Sequence, residues 1–372
     1  MKPKVLVADY DYGDTAIERK IVEDAGMELT AAQCKTEQEV IDAAQDADAI
    51  LTQYAEVRAK AIHALPRLKV IARFGTGVDI VDVAAATRMG VQVTNAPSDW
   101  CADEVADHAT ALLLSLIRKV EVYNRRTRAG VWHWNSGRSI HRIRGSVLGL
   151  LSFGSIAQRV AERMAAFGAK IHAHDPFRSD DEIRGRGAVP VNFDELLEAS
   201  DYLVIQAPLT EQTRELFGEE EFRRMKPTAY FVNTARGPIV EDQALCRALA
   251  ERWIAGAGLD DLEEEPAKRR NWKPDNPLFG LDNVLISPHA AYYSEESIAL
   301  VREIAAGEAV RVLRGQAPHY PVNRVFETAG EGRLRRAKGD FSEVSRGLCK
   351  KQRGGADGSA RSWHARTHGG EV

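Results

Sequence analysis

Cysteine is scarce in this chain. There are four in 372 residues, at Cys34, Cys101, Cys246 and Cys349. No two form a C-x-x-C pair and no histidine cluster joins them, which speaks against a zinc site or a disulfide framework and for a reducing compartment. No metal is expected. Long apolar runs are also missing, so no stretch has the roughly 18 uninterrupted apolar residues of a membrane span. Met1-Lys2-Pro3-Lys4 leads only into Val5-Leu6-Val7-Ala8, too short for a signal-peptide core. Charge of one sign is lacking too: the formal net charge is -4, whereas a groove-binding domain is usually basic. These absences lead us to expect a cytoplasmic protein with neither a nucleic-acid nor a membrane partner.

What is present is the composition of an ordinary globular protein, 44% hydrophobic and 28% charged, long enough for two domains. Short β-branched runs at residues 5–8, 49–51 and 70–72 alternate with helical patterns, the first at residues 15–25. That alternation predicts βαβ units and a parallel sheet. Residues 103–118 read as a helix so densely apolar that it should be buried between layers. A second series begins at residues 147–151, with strands recurring near 170–174, 202–206, 230–233, 255–259 and 284–287. A last long helix is predicted at 295–314. From Glu327 the character changes: the final 46 residues hold nine glycines and ten basic against six acidic residues. Such a segment buries too little apolar surface to offset its ordering entropy, and a mobile tail over 327–372 is expected.

The first chemical signal is Ser152-Phe153-Gly154-Ser155-Ile156-Ala157, between a predicted strand and a predicted helix. About 20 residues on, at the end of the next strand, stands Asp175. This is the setting of a dinucleotide-binding turn, in which main-chain amides meet a pyrophosphate and an acidic residue accepts bonds from ribose hydroxyls. Asp175 repels a 2′-phosphate, which favours NAD over NADP. The motif is degenerate, with Ser152 and Ala157 in place of glycines.

Three segments follow, each just beyond a predicted strand: Asn233-Thr234-Ala235-Arg236-Gly237, Gly258-Leu259-Asp260 with Glu265-Pro266, and Ser287-Pro288-His289. The carboxyl edge of an open parallel sheet is where ligands bind. Arg236 carries a planar fork suited to a carboxylate. His289 titrates near neutrality and suits an acid/base. Glu265 suits a partner that favours the imidazolium and orients it. Alone, each has a bland reading as a surface, packed or solvated residue; in this order behind a nucleotide turn they are specific.

The pattern resembles the D-isomer-specific 2-hydroxyacid dehydrogenase superfamily over roughly residues 1–326. The stretch Pro288-His289-Ala290-Ala291-Tyr292-Tyr293-Ser294-Glu295 looks most like the C-terminal-binding protein branch, which has Trp where Tyr292 stands. The resemblance implies two Rossmann-like doubly wound α/β domains. A discontinuous substrate domain takes 1–98 and 292–326, and an NAD-binding domain takes 99–291. It implies that Arg236, Glu265 and His289 are catalytic. The cofactor would be met by Cys101, Phe153, Gly154, Ser155, Ile156, Asp175, Ala207, Pro208, Thr234, Ala235, Arg236, Asp260 and His289. The substrate, a small 2-oxo or 2-hydroxy acid, would meet Tyr54, Gly75, Thr76, Gly77 and Arg236 in a cleft that closes on it. A homodimer through the NAD-binding domain is implied as well. Ser155 departs from the usual Arg or Lys, and Asp261 from the usual apolar residue. The expected function is NAD-dependent interconversion of a 2-oxo acid and its D-2-hydroxy acid. The alternative is an NAD(H)-gated scaffold of the corepressor type with vestigial catalysis.

Overall fold

A computed structural model describes residues 2–263, 275–329 and 333–336. The chain divides into two compact units, one formed by residues up to Pro97 together with those from Ile298, the other by Ser98–Ser297.

The first unit opens with β1 (Lys4–Val7), α1 (Ala16–Asp24), β2 (Glu28–Ala31), α2 (Glu37–Ala43), β3 (Ala49–Thr52), α3 (Ala59–Ala64), β4 (Val70–Arg73), α4 (Val83–Met89) and β5 (Gln92–Thr94). All five strands are parallel, in the order β2-β1-β3-β4-β5. β3 and most of β4 are buried along their whole length, as expected of strands covered on both faces by crossover helices. Val40, Ile41, Ile50, Ile62, Ile71 and Val93 form the core.

The second unit contains α5 (Ala102–Arg118), α6 (Val120–Arg128), β6 (Val147–Leu151), α7 (Ser155–Ala166), β7 (Lys170–His174), α8 (Asp180–Arg184), β8 (Val189–Pro190), α9 (Phe193–Ala199), β9 (Tyr202–Ile205), α10 (Glu219–Arg224), β10 (Tyr230–Asn233), α11 (Asp242–Ala250), β11 (Gly256–Leu259) and β12 (Val284–Ile286). Its sheet runs β12-β11-β10-β9-β6-β7-β8, again all parallel. The order reverses at β6, whose neighbours are β7 and β9. That switch point puts the ends of β6 and β9 side by side at a ligand-accepting edge. The doubly wound α/β architecture expected from the sequence is the one observed. Phe231 of β10 is fully buried and meets Phe217 and Phe222 edge-on at 5.2 and 5.3 Å. These edge-to-face contacts anchor the strand whose end carries Arg236.

One expectation needs correcting. The helix at residues 103–118 buries Val105, Ala109, Leu113, Leu116 and Ile117, but Asp103, Asp107 and Ala111 are exposed and Leu112 and Leu114 only partly covered. It is an amphipathic helix with one buried face, because the extra leucines widen the apolar stripe without closing it.

The chain then runs through α12 (Glu295–Leu313) to β13 (Phe326–Ala329) and β14 (Arg333–Arg336), which pair antiparallel. Of the tail expected from Glu327, residues 330–332 and 337–372 lie outside the described residues. Among the described residues no helix is long and apolar enough to cross a membrane.

Candidate active site

All seven strands of the second unit are parallel and end on one edge of its sheet, and most of the residues singled out in this unit follow the carboxyl ends of six of them. After β6, Ser152 sits at φ +69° and Gly154 caps α7. A Cβ added to Gly154 meets nothing within 4 Å, so the loop wall there is main chain, as a pyrophosphate cradle requires. The first-turn amides at Ser155 and Ile156 have no acceptor within the helix. They point a positive helix end outward, which suits an anion. The loop therefore fits a dinucleotide. Phe153 itself is fully buried, and its amide goes to Asp175 Oδ2 at 2.8 Å. Asp175 Oδ1 accepts the Phe177 amide at 2.9 Å, so the carboxylate both shapes the loop and stands at the end of β7. Ser155 pairs its hydroxyl with that of Ser98 at 2.9 Å. Cys101 is buried at the start of α5, its thiol 4.0 Å from the Ser98 carbonyl. Beyond β9, Ala207 is buried and Pro208 exposed, and the loop is held by the Thr213 hydroxyl donating to the Pro208 carbonyl at 2.7 Å.

The turn after β10 is built by Asn233, which is buried. Its Nδ2 donates to the Arg236 carbonyl at 2.8 Å and its Oδ1 accepts the Ala235 amide at 3.0 Å. Gln206 donates to the Thr234 hydroxyl at 2.7 Å. Gly237 is needed for close approach: a Cβ there would lie 2.6 Å from the Glu263 amide nitrogen. That contact brings the segment after β11 against Arg236.

β11 is followed by two buried aspartates. Asp260 organises the histidine turn. Its carbonyl accepts the His289 amide at 2.7 Å. Its Oδ1 accepts the Ser287 hydroxyl at 2.5 Å and the Ala290 amide at 2.9 Å, and its Oδ2 accepts the Ala291 amide at 2.9 Å. His108 Nε2 stands 2.7 Å from the Ser287 hydroxyl. These bonds hold His289 at φ +53°, a left-handed conformation uncommon outside glycine. Asp261 is 2% exposed. Its Oδ1 accepts the Gly237 amide at 3.2 Å, and its Oδ2 lies 3.6 Å from His289 Nδ1 and 3.9 Å from Arg236 Nη1. Arg236 and His289 thus meet at one carboxylate. Glu265, expected as the histidine's partner, lies outside the described residues. Sequence reasoning assigned no role to Asn233 and Ser287, which stood out only as polar members of their motifs at strand ends, nor to His108, a lone histidine within α5.

In the first unit, Tyr54 follows β3 and donates its amide to Asp9 Oδ2 at 2.6 Å. Gly75 follows β4 at φ +135°, a backbone conformation that glycine adopts without strain and L side chains rarely do. Thr76 is exposed and Gly77 partly so.

Comparison with known proteins returns a consistent set. The family profile described as D-isomer specific 2-hydroxyacid dehydrogenase, NAD binding domain, matches residues 110–291. The glyoxylate reductase of Korarchaeum cryptofilum is 38% identical over 289 residues, 77% of this chain and 85% of that protein. A glyoxylate reductase structure from Paecilomyes thermophila superposes with a TM-score of 0.76 at 27% identity, covering 87% of this chain and 99% of that one. The D-lactate dehydrogenase of Aquifex aeolicus, solved with NAD and lactic acid, has a TM-score of 0.76 at 27% identity, covering 84% and 96%.

Proposed function

Because this chain belongs to the D-isomer-specific 2-hydroxyacid dehydrogenases, NAD-dependent enzymes that interconvert 2-oxo and 2-hydroxy acids, we propose that it reduces a small 2-oxo acid of the glyoxylate or pyruvate class, with Arg236 and His289 as its catalytic residues. The observation that carries this reading is the meeting of Arg236 and His289 at Asp261, 3.9 and 3.6 Å away. The guanidinium fork binds the substrate carboxylate and polarises the adjacent carbonyl. With Nδ1 turned to a carboxylate, Nε2 of His289 is left to donate a proton to the carbonyl oxygen as it becomes a hydroxyl. Bound NADH supplies the hydride. In the reverse direction the same nitrogen accepts the alcohol proton.

The cofactor contacts are assigned to Phe153–Ile156 as a loop, to Asp175, and to Cys101, Ala207, Pro208, Thr234, Ala235 and Asp260. Asp175 at the end of β7 supports NADH over NADPH. The chemistry of a glycine loop at the end of β4 supports substrate contacts by Tyr54, Gly75, Thr76 and Gly77, and Glu265 is kept as a second carboxylate for the histidine. Trp132 and Trp134, 88% and 74% exposed, support a homodimer through the second unit, since large apolar side chains in water mark interfaces. Among the described residues Cys34, Cys101 and Cys246 are in no disulfide, which supports a reducing, cytoplasmic location. The scaffold alternative and the corepressor-type branch rest on residues 288–295 alone. The meeting of Arg236 and His289 at Asp261 supports an enzyme instead.

A panel of 2-oxo acids with NADH, followed by loss of NADH absorbance, tests the reading. Turnover of glyoxylate or pyruvate is expected. No turnover of any 2-oxo acid by a folded, NADH-binding chain would overturn it.

A further inference from the structure

We propose that Asn95 is a positioning residue for the substrate: its side-chain amide fixes the loop after β4 so that the main-chain N–H groups of Thr76 and Gly77 face a carboxylate together. The inference rests on the reading of Gly75–Gly77 as a substrate loop. Three successive carbonyls of that loop are taken. The Phe74 carbonyl accepts from Arg73 Nη1, the Gly75 carbonyl accepts the Ala96 amide at 3.1 Å, and the Thr76 carbonyl accepts Asn95 Nδ2 at 2.6 Å. In a trans peptide the N–H points opposite to the C=O with which it shares a plane. Pinning the Gly75 and Thr76 carbonyls to the end of β5 therefore turns the next two N–H groups, those of Thr76 and Gly77, away from it on the same side. Among the described residues nothing accepts the Gly77 amide. Successive N–H groups that face one way make a concavity suited to a carboxylate.

Asn95 can serve as a fixed post because it is itself held. Its own amide donates to the Tyr320 carbonyl at 3.3 Å, and the Tyr320 amide donates to Glu308 Oε2 at 2.9 Å. Glu308 is buried on α12. Two residues back along the strand, the Val93 carbonyl accepts the Val322 amide at 2.9 Å. β5 is the last strand of its sheet, so residues 320–322 cover its outer edge and leave residue 95 little room to move. Its inner edge pairs with β4, and the loop and its post thus leave adjacent strands. Asn95 is half-buried and Thr76 exposed, so the bond orders a loop that reaches into solvent from a residue that does not. A donor is required here. Aspartate has the same shape but offers only acceptors, and its charge repels both the Thr76 carbonyl and an incoming carboxylate. Ala96 donates from its main chain, which leaves Asn95 as the anchor that a substitution removes.

The test compares the wild type, Asn95→Ala and Asn95→Asp as full chains saturated with NADH. Oxamate, an analogue of a 2-oxo acid, is titrated while the amide resonances of Thr76 and Gly77 are followed by NMR. In the wild type both resonances are expected to move. The oxamate dissociation constant should rise roughly tenfold in Asn95→Ala, the scale of one hydrogen bond, and at least as far in Asn95→Asp. In glyoxylate reduction KM should rise by a similar factor while kcat changes less than about twofold, since the loop holds the carboxylate equally before and during hydride transfer. NADH affinity and melting temperature should change little. Amides unmoved by oxamate in the wild type, or an unchanged oxamate constant in both variants, overturn the proposal. So do variants that lose kcat and NADH affinity along with KM, as a general loosening of the fold would. Should Asn95→Ala fail to fold, Asn95→Asp, which keeps the shape, is read in its place. Wild-type turnover separates this proposal from the one beneath it. A wild type that binds oxamate at Thr76 and Gly77 yet reduces no 2-oxo acid sinks the proposed activity and leaves the role of Asn95 standing.

Discussion

The carbonyl oxygen of Asp260 accepts the amide of His289 at 2.7 Å, so the end of β11 fixes the main chain of the residue that follows β12. The Asp260 carboxylate fastens the same turn from its other side, through Ser287, Ala290 and Ala291. Four bonds from one buried residue thus hold His289 in a conformation it would rarely adopt free.

Removing that carboxylate should loosen the turn. Asp260→Ala is expected to lower turnover by roughly 10²-fold, the scale set by displacing a reacting group about 1 Å. Stability should also drop by about 1–3 kcal/mol as three donors lose their acceptor. Steady-state kinetics and urea unfolding on the full chain check both. A variant with normal turnover would show that the main-chain bond alone positions His289.

Ser152 pays a conformational cost at φ +69°, for which its 3.4 Å contact with Asp175 Oδ2 offers little return. Ser152→Gly is therefore expected to stabilise the chain by up to about 1 kcal/mol and to tighten NADH. Calorimetry of NADH binding and thermal unfolding measure the two effects. Weaker binding would mean that the serine hydroxyl matters to the loop.

Arg302, on α12, donates from Nε and Nη2 to the two oxygens of Glu18 at 2.8 Å each, and from Nη2 to Asp14 Oδ1 at 2.9 Å. Glu18 is 1% exposed. The hydrogen bond from Arg302, with the Glu18 charge, holds the guanidinium firmly protonated despite its burial. Arg302→Ala strands the glutamate, and a loss of about 3–5 kcal/mol in unfolding free energy is expected. A loss under 1 kcal/mol would show that water reaches Glu18.

His172, on β7, has its pKa lowered, first by burial and then by Lys170 and Lys226. Among the described residues its Nδ1 has no hydrogen-bond partner. The unfolded chain binds the proton more readily than the folded one, so stability falls as pH drops below the ordinary value of 6.5. His172→Val is expected to flatten the decline in unfolding free energy between about pH 7 and pH 5. An unchanged slope would assign the decline to other groups.

Much of this was readable from residues alone. The strands at β1, β3, β4, β6, β7 and β9 to β12 announced themselves as short runs with apolar residues between helical patterns. β2 did not, because Glu28–Ala31 is a sheet edge with one buried residue in four. β8 did not, because it is two residues long and contains Pro190, which an edge strand tolerates and a central one does not. Arg236 and His289 stood out because their residue types suit a carboxylate and a proton at a sheet edge. Asp261 stood out only as a departure from an expected apolar residue. Its place between the other two depends on Gly237 letting main chains from β10 and β11 touch, and no local pattern carries such a contact. Asn233 and Ser287 act through bonds to their own turns, which polarity alone does not distinguish from solvent exposure.

The most direct test of the whole account is turnover of glyoxylate or pyruvate with NADH by His289→Ala, set beside its NADH affinity. The account predicts a fall in turnover of roughly 10²–10⁴-fold, the usual worth of a positioned proton donor, with NADH affinity nearly unchanged. Turnover equal to that of the wild type would contradict it.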